Sequence, residues 1–165
     1  MVIAKGIIPE FIADLQHKAA IYDRLSELQG IHVPVCLGGI DLHRPYYYDF
    51  RVRITHILLL SWAGESGRVG DGQTVGGTGQ QRRVEELVES LSCIHRAGVL
   101  HGDIRADNIR WNAEAGRIML IDFERSTFLR PARDPLSLNA NVASANNEIQ
   151  LVETIFYSLS LLLPY

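Results

Sequence analysis

Cysteine, net charge and long apolar runs are all scarce in this chain of 165 residues. Its two cysteines, Cys36 and Cys93, are too few for a disulfide framework, so we expect free thiols in a reducing compartment, the cytoplasm. A net charge of −3 gives no reason to expect nucleic acid or an anionic membrane as the main partner. Residues 1–6 lack a basic segment followed by a long apolar run, so no signal peptide is predicted.

The longest apolar stretch, residues 155–163, is too short for a membrane span, which needs about 20 such residues. Glu148 and Glu153 interrupt the apolar character before it, and Pro164 ends it. A buried helix without membrane contact is therefore expected. The composition, 47% hydrophobic and 21% charged, suits a single domain with a buried core.

Apolar periodicity predicts a mixture of strands and helices. The predicted strands are 2–8, 33–37, 52–60, 109–111 and 117–121. The predicted helices are 9–29, 82–97 and 147–163. We expect the strand at 33–37 to end at Gly38-Gly39, and the following segment, with Pro45 and three tyrosines, to form a turn and the start of a strand. The polar segment 126–146, which contains prolines, is expected to be a loop.

Residues 64–81 differ in composition from the rest of the chain. They hold seven glycines with Ser, Thr, Gln and Asp, and almost no large apolar residue. This composition is typical of a flexible linker. A phosphate loop at Gly70-Asp71-Gly72 is the alternative, but a lone glycine cluster that does not open directly into an apolar helix is a weak signal.

The most informative pattern is the sequence HGDIRADN at 101–108, followed by IDFE at 121–124. It places Asp103 and Asn108 five positions apart and adds Asp122 after a short hairpin's length of chain. Phosphoryl transfer from a nucleotide needs this set: a carboxylate that orients the acceptor hydroxyl, and an amide with a carboxylate that hold Mg²⁺. Alone, each has a plain alternative, a turn residue for Asp103 or Asn108 and a solvent-facing strand end for Asp122.

These segments resemble the catalytic loop and metal-binding motif of the protein-kinase-like superfamily. Residues 94–103, IHRAGVLHGD, are similar to a kinase helix entering its catalytic loop, and residues 122–124 stand where kinases carry Asp-Phe-Gly. The match extends with less specificity over nearly the whole chain. It implies an α+β protein-kinase-like fold with a reduced N-lobe (1–62), a Gly-rich hinge linker (63–81) and a truncated, mainly helical C-lobe (82–165).

The resemblance also implies roles for individual residues. Asp103 would be the catalytic base, Asn108 and Asp122 would bind Mg²⁺, and Lys5 would pair with the phosphates of ATP. Arg105 would contact the transferred phosphate as a bidentate donor. The alternatives are a solvated loop arginine for Arg105 and an exposed strand-edge lysine for Lys5. His101 is expected to hold the loop by hydrogen bonding, and the other histidines show no metal-ligand spacing.

Several positions depart from the kinase pattern. The position at which a kinase helix offers a Glu to the ATP lysine holds Lys18, which should repel Lys5, with Asp14 as a substitute partner. Gly102 replaces the Arg of His-Arg-Asp, and Glu124 replaces the Gly of Asp-Phe-Gly, as often in small-molecule kinases. The missing arginine argues against control by activation-loop phosphorylation.

The ends of the sequence depart as well. No Gly-rich hairpin precedes residues 2–8, no Ala-Pro-Glu motif follows Phe123, and the chain ends at a helix where Asn147 or Glu148 would replace a structural Asp. The expected strand edge and apolar surface would then be exposed. We therefore expect a fragment of a longer product, a degenerate copy, or a subunit whose protein partner covers this surface.

The sequence thus predicts an enzyme that transfers the γ-phosphate of ATP to a hydroxyl with Mg²⁺. The acceptor, a protein or a small molecule, stays open. The competing prediction is a pseudokinase that serves as a binding or scaffold module, which Lys18 and the missing Gly-rich hairpin favour.

Overall fold

The structure, a computed structural model, describes residues 1–48, 52–66, 77–130 and 135–161. It confirms the predicted α+β class, because sheets and helices alternate along the chain. None of the helices within these ranges is long and apolar enough to cross a membrane.

The first part of the chain forms an antiparallel sheet with one helix. Its strands are β1 (Val2–Ile7), β2 (Cys36–Tyr48) and β3 (Val52–Ser61), in the order β1-β3-β2. Helix α1 (Ile12–Arg24) lies between β1 and β2 in the sequence, with a 3₁₀ turn on either side of it. α1 contacts both β2 and the turn Phe123–Arg125, so this part of the chain reaches directly towards the predicted metal-binding motif.

The second part is built on two helices and three short strand pairings. Its elements are β4 (Glu65–Ser66), α2 (Gly77–Arg96), β5 (Val99–Leu100), β6 (Ile109–Asn112), β7 (Arg117–Leu120), β8 (Thr127–Phe128) and α3 (Pro135–Leu161). β6 pairs with both β4 and β7, and β5 pairs with β8. The β6–β7 hairpin separates the two halves of the predicted catalytic motif, as the sequence indicates.

One hydrophobic core joins the two parts. α1 contributes Ile21 and Tyr22, α2 contributes Leu87, Leu91 and Ile94 at spacings of four and three, and the hairpin and α3 close the cluster. Burial of one such aliphatic side chain stabilises the fold by about 1.5–3 kcal/mol. The shared core fixes the first part of the chain against the loop that carries the predicted catalytic residues.

β2 is longer than predicted, because it continues past Gly38-Gly39 and through Pro45. The strand accommodates these residues since its register against β3 shifts between Cys36 and Gly38 and again between Asp41 and Tyr46. Proline is tolerated at a bulge of an edge strand, where its missing N–H is not needed. The predicted strand end and turn were therefore wrong.

The loop predicted at 126–146 was also wrong for its second half, because α3 begins at Pro135. Proline is favoured at the first position of a helix, and three alanines follow within α3. The segment is polar because much of it is exposed. α2 likewise begins at Gly77 rather than Arg82.

The expected hinge linker, 63–81, stays a prediction, as does the division into lobes. Its residues 67–76, including Gly70-Asp71-Gly72, lie outside the described residues. Apolar side chains are exposed elsewhere: Val2 and Ile3 on β1, and Leu136, Leu138 and Val142 on α3.

Candidate active site

Four of the five predicted site residues line one cavity of about 480 Å³. They are Lys5, Arg105, Asn108 and Asp122. The remaining walls come from β1, residues 60–64 and the buried rings of α1 and the 121–123 segment. Residues more than a hundred positions apart in the sequence therefore face one space.

Asp103 is joined to this group through Asn108. The Asn108 side-chain nitrogen donates hydrogen bonds to the backbone oxygen and to the Oδ2 atom of Asp103, both at 2.9 Å. Asn108 is itself buried, at the end of the 3₁₀ turn Ala106–Asn108. Because the amide nitrogen makes both bonds, the amide oxygen is the atom that Asn108 would offer to a metal ion.

Asp122 has an unusual backbone conformation, with φ 68° and ψ 65°. It is the one non-glycine residue with positive φ in the described part of the chain. Such a conformation costs roughly 1–3 kcal/mol and persists only where its surroundings enforce it. Here the neighbours on both sides are fixed. The Ile121 backbone N–H donates to the Asn108 backbone oxygen, the Ile121 backbone oxygen accepts from His101 Nε2, and Phe123 is fully buried in the core.

His101 provides one of these fixed contacts. Its Nε2 atom donates to the Ile121 backbone oxygen at 2.9 Å, its Nδ1 atom accepts from the Asp103 backbone N–H at 3.3 Å, and its ring lies 4.7 Å from that of Phe123. Burial lowers the pKa of His101, so the ring is neutral at pH 7, which suits one donating and one accepting nitrogen. The predicted role of His101 as a loop anchor is confirmed.

A glutamate bridges the two lysines that were expected to repel each other. Glu124 Oε1 contacts the Lys5 ammonium and lies 2.8 Å from the Lys18 ammonium. Lys5 also lies 3.1 Å from Asp122 Oδ1. The predicted repulsion is present, since the charge of Lys5 lowers the pKa of Lys18, but Glu124 bridges the two ammonium groups and supplies the carboxylate for which Asp14 had been considered.

The charges of this cluster, Lys5, Lys18, Asp122 and Glu124, shift one another's pKa values. Hydrogen bonds from Lys18 and Lys5 lower the pKa of Glu124 to about 2. Burial works against a charged Lys5, but the bonds and charges of Glu124 and Asp122 outweigh it and raise the pKa of Lys5. Burial lowers the pKa of Lys18, and the charge of Lys5 adds to that effect.

A buried carboxylate on α3 supports the catalytic loop from behind. Glu148 Oε2 accepts from the His101 backbone N–H at 3.1 Å and from His95 Nε2 at 2.8 Å, while its Oε1 accepts from the Gly102 backbone N–H. Burial would raise the pKa of Glu148, but these hydrogen bonds outweigh it and lower that pKa. Of the two candidates from the sequence, Glu148 rather than Asn147 is the residue that holds the loop.

Gly102 is required by a close backbone contact that the sequence did not reveal. Its φ is 78°, and a Cβ atom at this position would lie 2.2 Å from the Arg125 backbone oxygen. The contact brings Arg125 to Asp103, whose Oδ1 atom lies 3.9 Å from Arg125 Nη1. Arg105 places its Nε atom 3.3 Å from the other carboxylate oxygen, Asp103 Oδ2.

The model of the lipopolysaccharide kinase (Kdo/WaaP) family matches residues 68–142. The meiotic driver SPOK2 of Podospora anserina is 38% identical over 133 residues, which are 79% of this chain and 16% of that protein. The probable serine/threonine-protein kinase fnkB of Dictyostelium discoideum is 37% identical over 51 residues, which are 31% of this chain and 10% of that protein.

Among solved structures, a Stt7 homolog from Micromonas algae, soaked with ATP, matches with a TM-score of 0.63 and 17% identity. That match covers 81% of this chain and 44% of the other. This chain thus spans less than half the length of each of these three proteins. The chain therefore has a protein-kinase-like fold, and the family model and the kinase relative support a place in the protein-kinase-like superfamily.

Proposed function

We propose that this chain is a phosphotransferase that moves the γ-phosphate of ATP to a hydroxyl group. The observation that carries the proposal is the placement of Lys5, Arg105, Asn108 and Asp122 on one cavity, with Asp103 bonded to Asn108 beside it. A cavity of about 480 Å³ is in the range of small-molecule sites. The structural relative from Micromonas was soaked with ATP, which supports the same ligand for this fold.

The donor atoms at this cavity fit Mg²⁺. Asn108 and Asp122 offer an amide oxygen and a carboxylate, and Mg²⁺ is usually held by one or two protein groups together with phosphates and water. The Lys5 ammonium lies 3.1 Å from Asp122 Oδ1, so this carboxylate already contacts one positive charge at the cavity. When bound, Mg²⁺ neutralises charge on the phosphate oxygens.

Three side chains of the protein have further roles in the proposed reaction. Lys5, fixed by Asp122 and Glu124, presents a positive charge to the phosphates, and Arg105 presents a second one from the loop. Asp103 Oδ2 is occupied by Asn108 and Arg105, so Oδ1 is the atom that faces the acceptor. Asp103 Oδ1 orients the acceptor hydroxyl and takes its proton as the new O–P bond forms and the bond to ADP breaks.

Turnover of ATP with and without Mg²⁺ tests this mechanism. We expect Asp103→Asn to lower Mg²⁺-dependent turnover by about 10²–10⁴-fold, because the variant keeps the hydrogen bond to Asn108 but cannot accept a proton. Glu114→Gln, a change in the exposed turn between β6 and β7, is the matched control. Equal turnover by Asp103→Asn and the parent would contradict the mechanism.

A nucleotide-binding pseudokinase is the second candidate. The supporting observation is that the Lys5 ammonium is already engaged by Glu124 and Asp122, so the phosphates must compete for it. A thermal shift with ATP, with and without Mg²⁺, separates the two candidates when combined with turnover. Stabilisation by ATP without turnover favours the pseudokinase, whereas stabilisation with turnover that needs Asp103 favours the enzyme.

A further inference from the structure

Two arginines lie near the carboxylate of Asp103, each beside a different oxygen atom. Arg105 Nε lies 3.3 Å from Oδ2, and Arg105 lines the cavity assigned to ATP. Arg125 Nη1 lies 3.9 Å from Oδ1, and Arg125 is not among the residues that line this cavity. The atom of Asp103 that faces the acceptor therefore has its own positive neighbour, separate from the one that faces the nucleotide.

The backbone of Arg125 is held firmly although its side chain is exposed. Its carbonyl packs against Gly102, where a Cβ atom would lie 2.2 Å away. The next residue, Ser126, is buried. Its Oγ atom donates to the His101 backbone oxygen at 2.8 Å, and its backbone oxygen accepts from His17 Nε2 at 2.7 Å. These contacts fix the backbone position from which the Arg125 guanidinium reaches the Asp103 carboxylate.

The ion pair between Arg125 and Asp103 is too weak to explain this placement. The Arg125 side chain is 76% exposed, and the separation of 3.9 Å is at the limit of an ion pair. Exposed pairs of this kind contribute about 0–1 kcal/mol. A guanidinium on a fixed backbone, open to solvent next to a reacting carboxylate, is suited to bind an incoming anion.

We infer that Arg125 recognises an anionic group on the acceptor. The acceptor class is a small hydroxyl compound that carries a carboxylate or a phosphate close to the hydroxyl, as hydroxy acids and sugar phosphates do. Asp103 Oδ1 receives the hydroxyl, and the guanidinium of Arg125 receives the anionic group next to it. The inference rests on the proposed phosphotransferase function, which it extends to the choice of substrate.

Matched acceptor pairs test the inference in a transfer assay. Glycerate is compared with glycerol, and glucose 6-phosphate with glucose, in the parent, Arg125→Gln, Arg125→Lys and Arg117→Gln. Arg117 is the control because it is an exposed arginine of β7 that does not line the cavity assigned to ATP. We expect the parent to prefer the anionic member at least tenfold in kcat/KM, mainly through KM.

The variants should separate recognition from a purely structural role. Arg125→Gln should lower the preference to about one, Arg125→Lys should retain part of it, and Arg117→Gln should keep all of it. A parent without preference, or a full preference in Arg125→Gln, would overturn the inference. Transfer to an acidic peptide in preference to all four small compounds would also overturn it.

Equilibrium binding tests the anion subsite of Arg125 separately from the proposed phosphotransferase activity. Ligand-observed NMR measures glycerate, glucose 6-phosphate and inorganic phosphate against the same variants. Binding of the two organic anions that weakens at least tenfold in Arg125→Gln, without any transfer, supports the anion subsite and refutes the phosphotransferase. No binding to the parent, equal binding to Arg125→Gln, or equal affinity for inorganic phosphate overturns the subsite.

Discussion

The most direct test of the charge cluster is Glu124→Gln. Glu124 is bonded to Lys18, whose side chain is only 6% exposed, and to Lys5. The fall of the Glu124 pKa from 4.5 to about 2 corresponds to at most roughly 3 kcal/mol at neutral pH. Because the Glu124 side chain is 49% exposed, solvent screens this interaction, and we expect a loss of about 1–2 kcal/mol.

Thermal unfolding at pH 7 measures this loss. In a chain of 165 residues, about 1–2 kcal/mol corresponds to a fall in Tm of roughly 2–8 °C. Lys18→Met in the Glu124→Gln background should recover most of it, since an apolar side chain removes the unpaired buried charge. Glu114→Gln in the exposed turn should leave Tm unchanged. A Tm of Glu124→Gln equal to that of the parent would refute the assigned role of Glu124.

The pH dependence gives a second, independent check on Glu124. Its pKa is lower in the folded state than in the unfolded state, so its contribution is present above about pH 4.5 and is lost as the pH falls towards 2. The difference in unfolding free energy between the parent and Glu124→Gln should therefore shrink over this window. A difference that stays constant from pH 7 to pH 2 would show that the carboxylate charge is not its source.

Two further substitutions test the support of the catalytic loop. Gly102→Ala should destabilise the fold by about 2–5 kcal/mol, because it combines a left-handed backbone with a clash against a backbone oxygen. Gly116→Ala, at φ 62° with open space around it, should cost only about 1–2 kcal/mol. Equal urea midpoints for the two variants would contradict the close contact at Gly102. Glu148→Gln should lower the free energy of unfolding by about 1–3 kcal/mol, because one buried donor loses its acceptor. Hydrogen exchange at the His101 and Gly102 amides should become faster. Unchanged exchange at both amides would show that the Glu148 carboxylate does not hold the loop.

The sequence predicts best those parts of the fold in which local pattern and tertiary environment agree. The stripe Leu87, Leu91 and Ile94 of α2 is buried as its spacing indicates. The sequence pattern predicts secondary structure wrongly where tertiary contacts decide the path of the chain. The path of β2 through Pro45 depends on bulges against β3, and no local signal distinguishes a bulge from a turn there.

The candidate site likewise has a part that the sequence predicts and a part that depends on tertiary packing. Asp103, Asn108 and Asp122 are close in sequence, and one hairpin brings them together, so their clustering follows from their spacing. Lys18 and Glu124 are 106 residues apart, and their contact depends on how α1 packs against the 123–125 turn. Periodicity showed that Lys18 faces the core, but it could not show which side chain it would meet.

This contact changes how the departures from the kinase pattern should be weighed. Lys18 alone would place a second cation beside Lys5, and Glu124 alone would place a second anion beside Asp122. Together they form an ion-paired network in which each charge offsets the other, and Lys5 keeps a carboxylate partner. The two substitutions therefore depend on each other, and neither by itself is evidence that the site has lost its chemistry. The same reasoning links Gly102 with Arg125. Because residue 102 has no side chain, the Arg125 backbone can approach it closely. Arg125, from a different segment of the chain, then places a positive charge near Asp103.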